Sequence, residues 1–68
     1  MPFISVRILE KRLNPESEQK LIASLTDAVV ETFGAEVREH VWITLEPTPE
    51  HRWGIAGKPV GQPPNDPA

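Results

Sequence analysis

Residues 14–34, NPESEQKLIASLTDAVVETFG, decide how this chain folds. Asn14 offers a side-chain oxygen to cap a helix, Pro15 suits the first helical position, and Glu16 puts an acid in the positive first turn. Leu21, Ile22, Leu25, Ala28, Val29 and Phe33 then recur at spacings of three and four, with Glu18, Lys20, Asp27 and Glu31 largely off that stripe. Gly34 is placed to end the helix. The stretch predicts one amphipathic helix of about 19 residues that lays a single face on a sheet.

The flanking segments supply that sheet. Upstream, residues 2–9 alternate, with Ile4, Val6 and Ile8 on one face and Phe3, Ser5, Arg7 and Leu9 on the other. Downstream, Val41, Ile43 and Leu45 oppose His40, Trp42, Thr44 and Glu46, and Pro47-Thr48-Pro49 is expected to stop the ladder because proline has no N–H to donate. Strand, helix and strand form a β-α-β unit of the α+β class, whose two strands are normally parallel with a right-handed crossover. Trp53-Gly54-Ile55-Ala56-Gly57-Lys58 reads as a tight turn or small hairpin, placed to reach a neighbouring subunit. Residues 1–60 are thus expected to form one domain, and residues 61–68, with three of the eight prolines, an extended or disordered tail.

Composition narrows the function classes. A chain of 68 residues without cysteine buries little core, and no cysteine/histidine cluster suggests a metal, so oligomerisation is the expected route to a stable fold. Seven Lys+Arg against ten Asp+Glu, net charge −3, argue against nucleic acid and anionic membranes as partners. Neither a signal-peptide pattern nor a run of about 20 apolar residues occurs, which leads us to expect a cytoplasmic protein. His40 and His51 stand eleven residues apart without further ligands at metal spacing and read as surface imidazoles, so no metal is expected. No phosphate loop and no Ser-His-Asp pattern is present.

Few residues are left to carry chemistry. Removal of Met1 would leave Pro2 as a secondary amine on a rigid ring at the head of a strand, able to act as a general base or nucleophile when neutral. An α-amino group titrates at about 7.7–8.0, and nearby cations or an apolar pocket lower that value. The plainer reading is a proline that merely starts a strand. Arg12, just after the first strand, can clamp a carboxylate in a bidentate fork or can be an ordinary surface arginine. Trp53, beside Gly54, can wall an apolar pocket or pack across an interface, and Trp42, on the polar side of its strand, is better explained by an interface. At about 3.3 Å per residue, Leu9 lies about 23 Å from Pro2, so Pro2 and Arg12 can serve one small substrate only if an antiparallel second subunit supplies one of them.

These pieces together resemble the 4-oxalocrotonate tautomerase family. The resemblance runs through about residue 60 and rests on Pro2-Phe3-Ile4-Ser5-Val6-Arg7-Ile8-Leu9-Glu10-Lys11-Arg12, on Gln19-Lys20-Leu21-Ile22 and on Trp53-Gly54-Ile55-Ala56-Gly57. It implies a β-α-β subunit, dimers joined by antiparallel first strands into four-stranded sheets, and a hexamer of three such dimers. It also implies a cofactor-independent isomerase of aromatic catabolism that moves a proton in enols or dienols of 2-keto acids. Pro2 matches the base, Arg12 a carboxylate-binding arginine, and Trp53 the aromatic that makes the pocket apolar.

One departure matters. The family's second arginine, which polarises the substrate's 2-oxygen, falls here on Val41 or Trp42, and Arg52, Arg38 and Arg7 stay open as substitutes. Trp42 and Arg52 are therefore carried as further substrate-binding candidates. A monocarboxylate such as an aryl enolpyruvate fits the missing charge better than a dicarboxylate. The position of the family's dehalogenase glutamate holds Ile55, so dehalogenation is not expected. Two other readings stand beside the tautomerase: a non-catalytic subunit that completes the sites of a paralogue in a hetero-oligomer, and a promiscuous family member with a binding role.

Overall fold

A computed structural model describes residues 2–61. Strand β1, Phe3–Leu9, runs through a 3-10 turn, Glu10–Arg12, into helix α1, Pro15–Phe33. A second 3-10 turn, Ala35–His40, leads to β2, Trp42–Thr48, and a third, Glu50–Arg52, to a hairpin of β3, Gly54–Ile55, and β4, Lys58–Pro59. β1 and β2 are parallel, in register from Phe3 opposite Trp42 to Leu9 opposite Thr48. The expected tail lies outside the described residues except for Gly61.

The helix begins where its sequence says it should. The Asn14 side chain accepts a hydrogen bond from Ser17 N at 2.8 Å, and Asn14 N donates to Ser17 Oγ at 2.9 Å, a reciprocal cap that satisfies two otherwise orphaned donors. At the other end Gly34 adopts φ 108° while its N–H reaches Val30 O at 2.8 Å. A side chain there would be strained by the backbone and would meet the Glu36 carboxylate at 2.9 Å.

Two expectations need correction. The ladder does end within Pro47-Thr48-Pro49, after Thr48 and before Pro49, but Pro47 is not what stops it: β2 continues through it, and Pro47 stands opposite Ile8. The reason is the phase of the ladder. Trp42 N donates to Pro2 O at 3.0 Å. Backbone groups alternate along a strand, so those of Thr44, Glu46 and Thr48 also face β1, while those of Ile43, Leu45 and Pro47 face outward. The missing N–H of Pro47 thus falls on the outer edge, where proline is tolerated. By the same alternation β1 turns Ile4, Val6 and Ile8 toward β2 and leaves the backbone groups of Phe3, Ser5, Arg7 and Leu9 on its own free edge.

The second correction concerns the helix stripe. Leu21, Leu25 and Val29 are half-buried, as are Ile4, Val6, Ile8, Ile43 and Leu45, but Ile22, Ala28 and Phe33 are exposed, Phe33 at 67%. Two strands about 4.8 Å apart are too narrow to cover the apolar face of a helix about 10–12 Å across. No described residue is fully buried, and Phe3 and Trp42 stand open on the sheet face away from the half-buried row.

Because the cap is local and complete, Asn14→Ala is expected to destabilise the fold by about 1 kcal/mol. Urea unfolding followed by circular dichroism measures it, and an unchanged midpoint would refute the role given to the cap.

Candidate active site

Pro2 is half-buried at the head of β1, tied through its carbonyl to Trp42, which is 57% exposed on the adjoining strand. Arg12, Arg52 and Trp53 follow the far ends of the two strands. They do not share one cavity.

Arg12, with Ile8, Leu13, Ser17, Lys20, Leu21 and Ser24, lines a depression of about 350 Å³ between the end of β1 and the first turns of α1. Arg52 and Trp53, with Arg7, Thr48 and Gly54, line another of about 260 Å³. Arg7 and Thr48 both belong to the exposed-face parity of their strands, so this second depression opens on the sheet face opposite the helix.

Local bonds fix the second depression. Glu50 is its anchor: the carboxylate meets Lys11 Nζ at 3.2 Å, and the carbonyl accepts Trp53 N at 3.1 Å and Gly61 N at 3.3 Å. Val60 N returns to Trp53 O at 2.7 Å, closing the hairpin behind the indole. The hairpin turns at Ala56 and Gly57, with φ 53° and 83°, the two positive values that a tight two-residue loop requires. Close approach is needed at Gly61 too, where a Cβ would come within 2.5 Å of Glu50 Cβ.

Three side chains on the open face were not singled out together by sequence reading. Ser5 Oγ donates to Glu46 Oε2, and Arg7 lies 3.6 Å from Glu46 Oε1. The register, Ser5 opposite Thr44 and Arg7 opposite Glu46, brings them together. Alternation alone would have put all three on the polar faces, but not side by side. Of the arginines left open as substitutes, Arg38 is committed to Asp27 at 2.6 Å on the helix, whereas Arg52 makes no ion pair among the described residues.

The profile of a family described as "Tautomerase enzyme" matches residues 2–62. The chain belongs to the 4-oxalocrotonate tautomerase family. A probable tautomerase of Ralstonia nicotianae is 42% identical over 69 aligned positions, covering 97% of this chain and 96% of that protein. Another, of Dickeya dadantii, is 32% identical over 60 positions and covers 88% of each. Among solved structures, a 4-oxalocrotonate tautomerase isozyme from Methylibium petroleiphilum superposes with a TM-score of 0.77 at 29% identity, covering 87% of this chain and 92% of that one. Membership of the tautomerase family makes the chain's chemistry that of an isomerase, and the β-α-β subunit with its small hairpin is the family fold.

The Ser5 hydrogen bond, and after it the charge of Arg7, hold the Glu46 carboxyl below its ordinary value against a smaller desolvation effect. A depressed folded-state value stabilises the fold above the unfolded carboxylate pKa of about 4.3, and that contribution is lost as pH falls through the folded value. Ser5→Ala is therefore expected to move the Glu46 titration upward. Carbon-detected NMR of the carboxyl resonance reads this directly, and an unmoved midpoint would show that the hydroxyl does not set it.

Proposed function

We propose that the chain is a cofactor-independent keto-enol tautomerase whose base is the Pro2 nitrogen, exposed as a secondary amine once Met1 is removed. The neutral amine takes the proton of the enol and its ammonium form returns a proton to the neighbouring carbon, so the product is the keto acid and no atoms are gained or lost. Arg12 holds the substrate carboxylate, and Trp53 contributes an apolar wall that disfavours the ammonium form.

The observation that carries this reading is the phase of the ladder. It leaves the backbone groups of Phe3, Ser5, Arg7 and Leu9 on a proline-free edge, while Pro47 occupies the opposite edge of the sheet. A second copy added antiparallel at β1 with full overlap sets Phe3 against Leu9 and Ser5 against Arg7, which matches outward groups with outward groups. Pro2 then falls beyond the other copy's Leu9, beside its Glu10–Arg12 turn. The long separation of base and arginine within one chain is resolved by the pairing, and with it the expected dimer becomes a condition for catalysis. The further assembly of three dimers into a hexamer belongs to the same proposal, supported by Ile22 and Phe33, large apolar groups left exposed on the helix.

A monocarboxylate enol is the substrate class that one carboxylate-binding arginine at this position serves. Mass spectrometry establishes that Met1 is absent, and phenylenolpyruvate turnover is then followed by ultraviolet absorbance. Pro2→Ala, processed in the same way, should lower kcat/KM by about 10²-fold or more. Activity undiminished in that variant would overturn the role of the proline.

A further inference from the structure

We propose that Lys20 is a specificity-determining residue: its ammonium joins the Arg12 guanidinium on the one carboxylate of the substrate, in the depression between the end of β1 and α1. The inference rests on the tautomerase reading and deepens it, because it names the helix residue that makes the site select an acid over its neutral analogue.

The phase of the helix puts Lys20 there. Ser17, Lys20, Leu21 and Ser24 are three and four residues apart and form one face of α1, and that face borders the depression of about 350 Å³. In the sequence Lys20 lies off the apolar stripe and reads as a solvated charge. The Arg12 turn, packed beside the first turns of the helix, makes it the wall of a concave space instead. Ile8, Leu13 and Leu21 line that space with hydrocarbon, and none of the residues bordering it is acidic.

Both cations lack a counter-charge. Among the described residues neither Arg12 nor Lys20 makes an ion pair, and Glu16, one turn before Lys20 at the favoured spacing of four, is not within ion-pair distance of it. Two like charges beside one small concavity repel until an anion lies between them. A carboxylate satisfies both, since a guanidinium fork occupies two of its four lone-pair sites and leaves the others to an ammonium. The backbone holds Arg12 in place: its carbonyl accepts from Ser17 Oγ at 3.4 Å, and Leu13 N donates to Glu10 O at 3.0 Å. The neighbouring cation Lys11 is taken by Glu50 at 3.2 Å.

The face of the sheet agrees. Pro2 has the parity of Ile4, Val6 and Ile8, and Ile8 borders the depression. Two antiparallel copies in one sheet are related by an axis perpendicular to it, which keeps both helices on the same face. In the proposed pair the second copy's Pro2 therefore reaches the Arg12 turn on the side that carries Lys20.

The test uses the Pro2→Ala protein, in which turnover is removed, and two unreactive probes, phenylacetate and its neutral analogue phenylacetamide, titrated by calorimetry. Phenylacetate should bind more tightly than the amide. Lys20→Gln, which keeps a good helix former, should weaken phenylacetate by about fivefold or more and leave the amide unchanged. Lys20→Arg should stay within about twofold of the parent for both probes, and Lys58→Gln, which removes a cation from the hairpin, should change neither. In the Pro2-containing enzyme, Lys20→Gln should raise KM for phenylenolpyruvate more than it lowers kcat. Unchanged phenylacetate binding in Lys20→Gln, an equal loss of acid and amide, or the same loss in Lys58→Gln would overturn the assignment. Lys20-dependent binding of phenylacetate alongside activity that ignores Pro2 would instead uphold Lys20 and remove the proline mechanism.

Discussion

The hydrogen bond from Trp42 N to Pro2 O, 3.0 Å long, sets the phase of the sheet, and the sheet's phase sets nearly everything else. It turns Ile4, Val6 and Ile8 inward to β2, leaves the backbone of Phe3, Ser5, Arg7 and Leu9 on a free edge, and places the one proline inside β2 where its missing donor does no harm. A slip of one residue would bury Arg7 under the helix and expose Val6. The same bond fixes the carbonyl of the residue proposed as the base.

A subunit built this way is incomplete. One helix over two strands half-buries a thin apolar row, and no described residue is dry. Phe3 and Trp42 on one side and Ile22 and Phe33 on the other are large apolar groups still 40–67% exposed, so roughly half of the burial free energy each could contribute is unrealised. Proline on the outer edge of β2 discourages strand addition there, so β1 is the edge that can accept a neighbour. On the proposed reading, stability and catalysis impose the same requirement. Pro2, the proposed base, and Arg12 flank opposite ends of β1, and a second strand laid antiparallel on that edge would bring one to the other.

How much of this was legible in the sequence depended on the range of the interaction. Helix α1 was readable from Asn14 to Gly34 because its cap, its first-turn acid and its terminating glycine act over three or four residues. The alternation of β1 and β2 was equally local. The segment Pro47-Thr48-Pro49 marked the end of β2, but Pro47 itself sits inside the strand, because its effect depends on which way an N–H points, and that is decided by a partner strand some 40 residues away in the chain. Ile22 and Phe33 belong to the apolar periodicity, yet the sheet is too narrow to receive them. Within the site, Pro2, Arg12 and Trp53 were visible as residue types in unusual places. The gathering of Arg7, Arg52 and Trp53 was not, since it needs the register of two strands and the turn that Glu50 anchors. Equally hidden was the separation of Arg12 from Trp53 onto opposite faces of the sheet.

The central claim is that the free edge of β1 joins two copies, and it turns on the outward N–H groups. Light scattering on size-exclusion peaks of Ser5→Pro and Ser5→Ala tests it most directly. Ser5→Pro removes one outward N–H without touching a β1–β2 hydrogen bond, and Ser5→Ala keeps that N–H while losing the same hydroxyl. The account predicts an assembled wild type, an assembled Ser5→Ala protein, and a Ser5→Pro protein that falls to the mass of a single chain with a lower unfolding midpoint, as a subunit deprived of its partner should. A wild type that is already monomeric, or a Ser5→Pro protein that stays assembled, would contradict it.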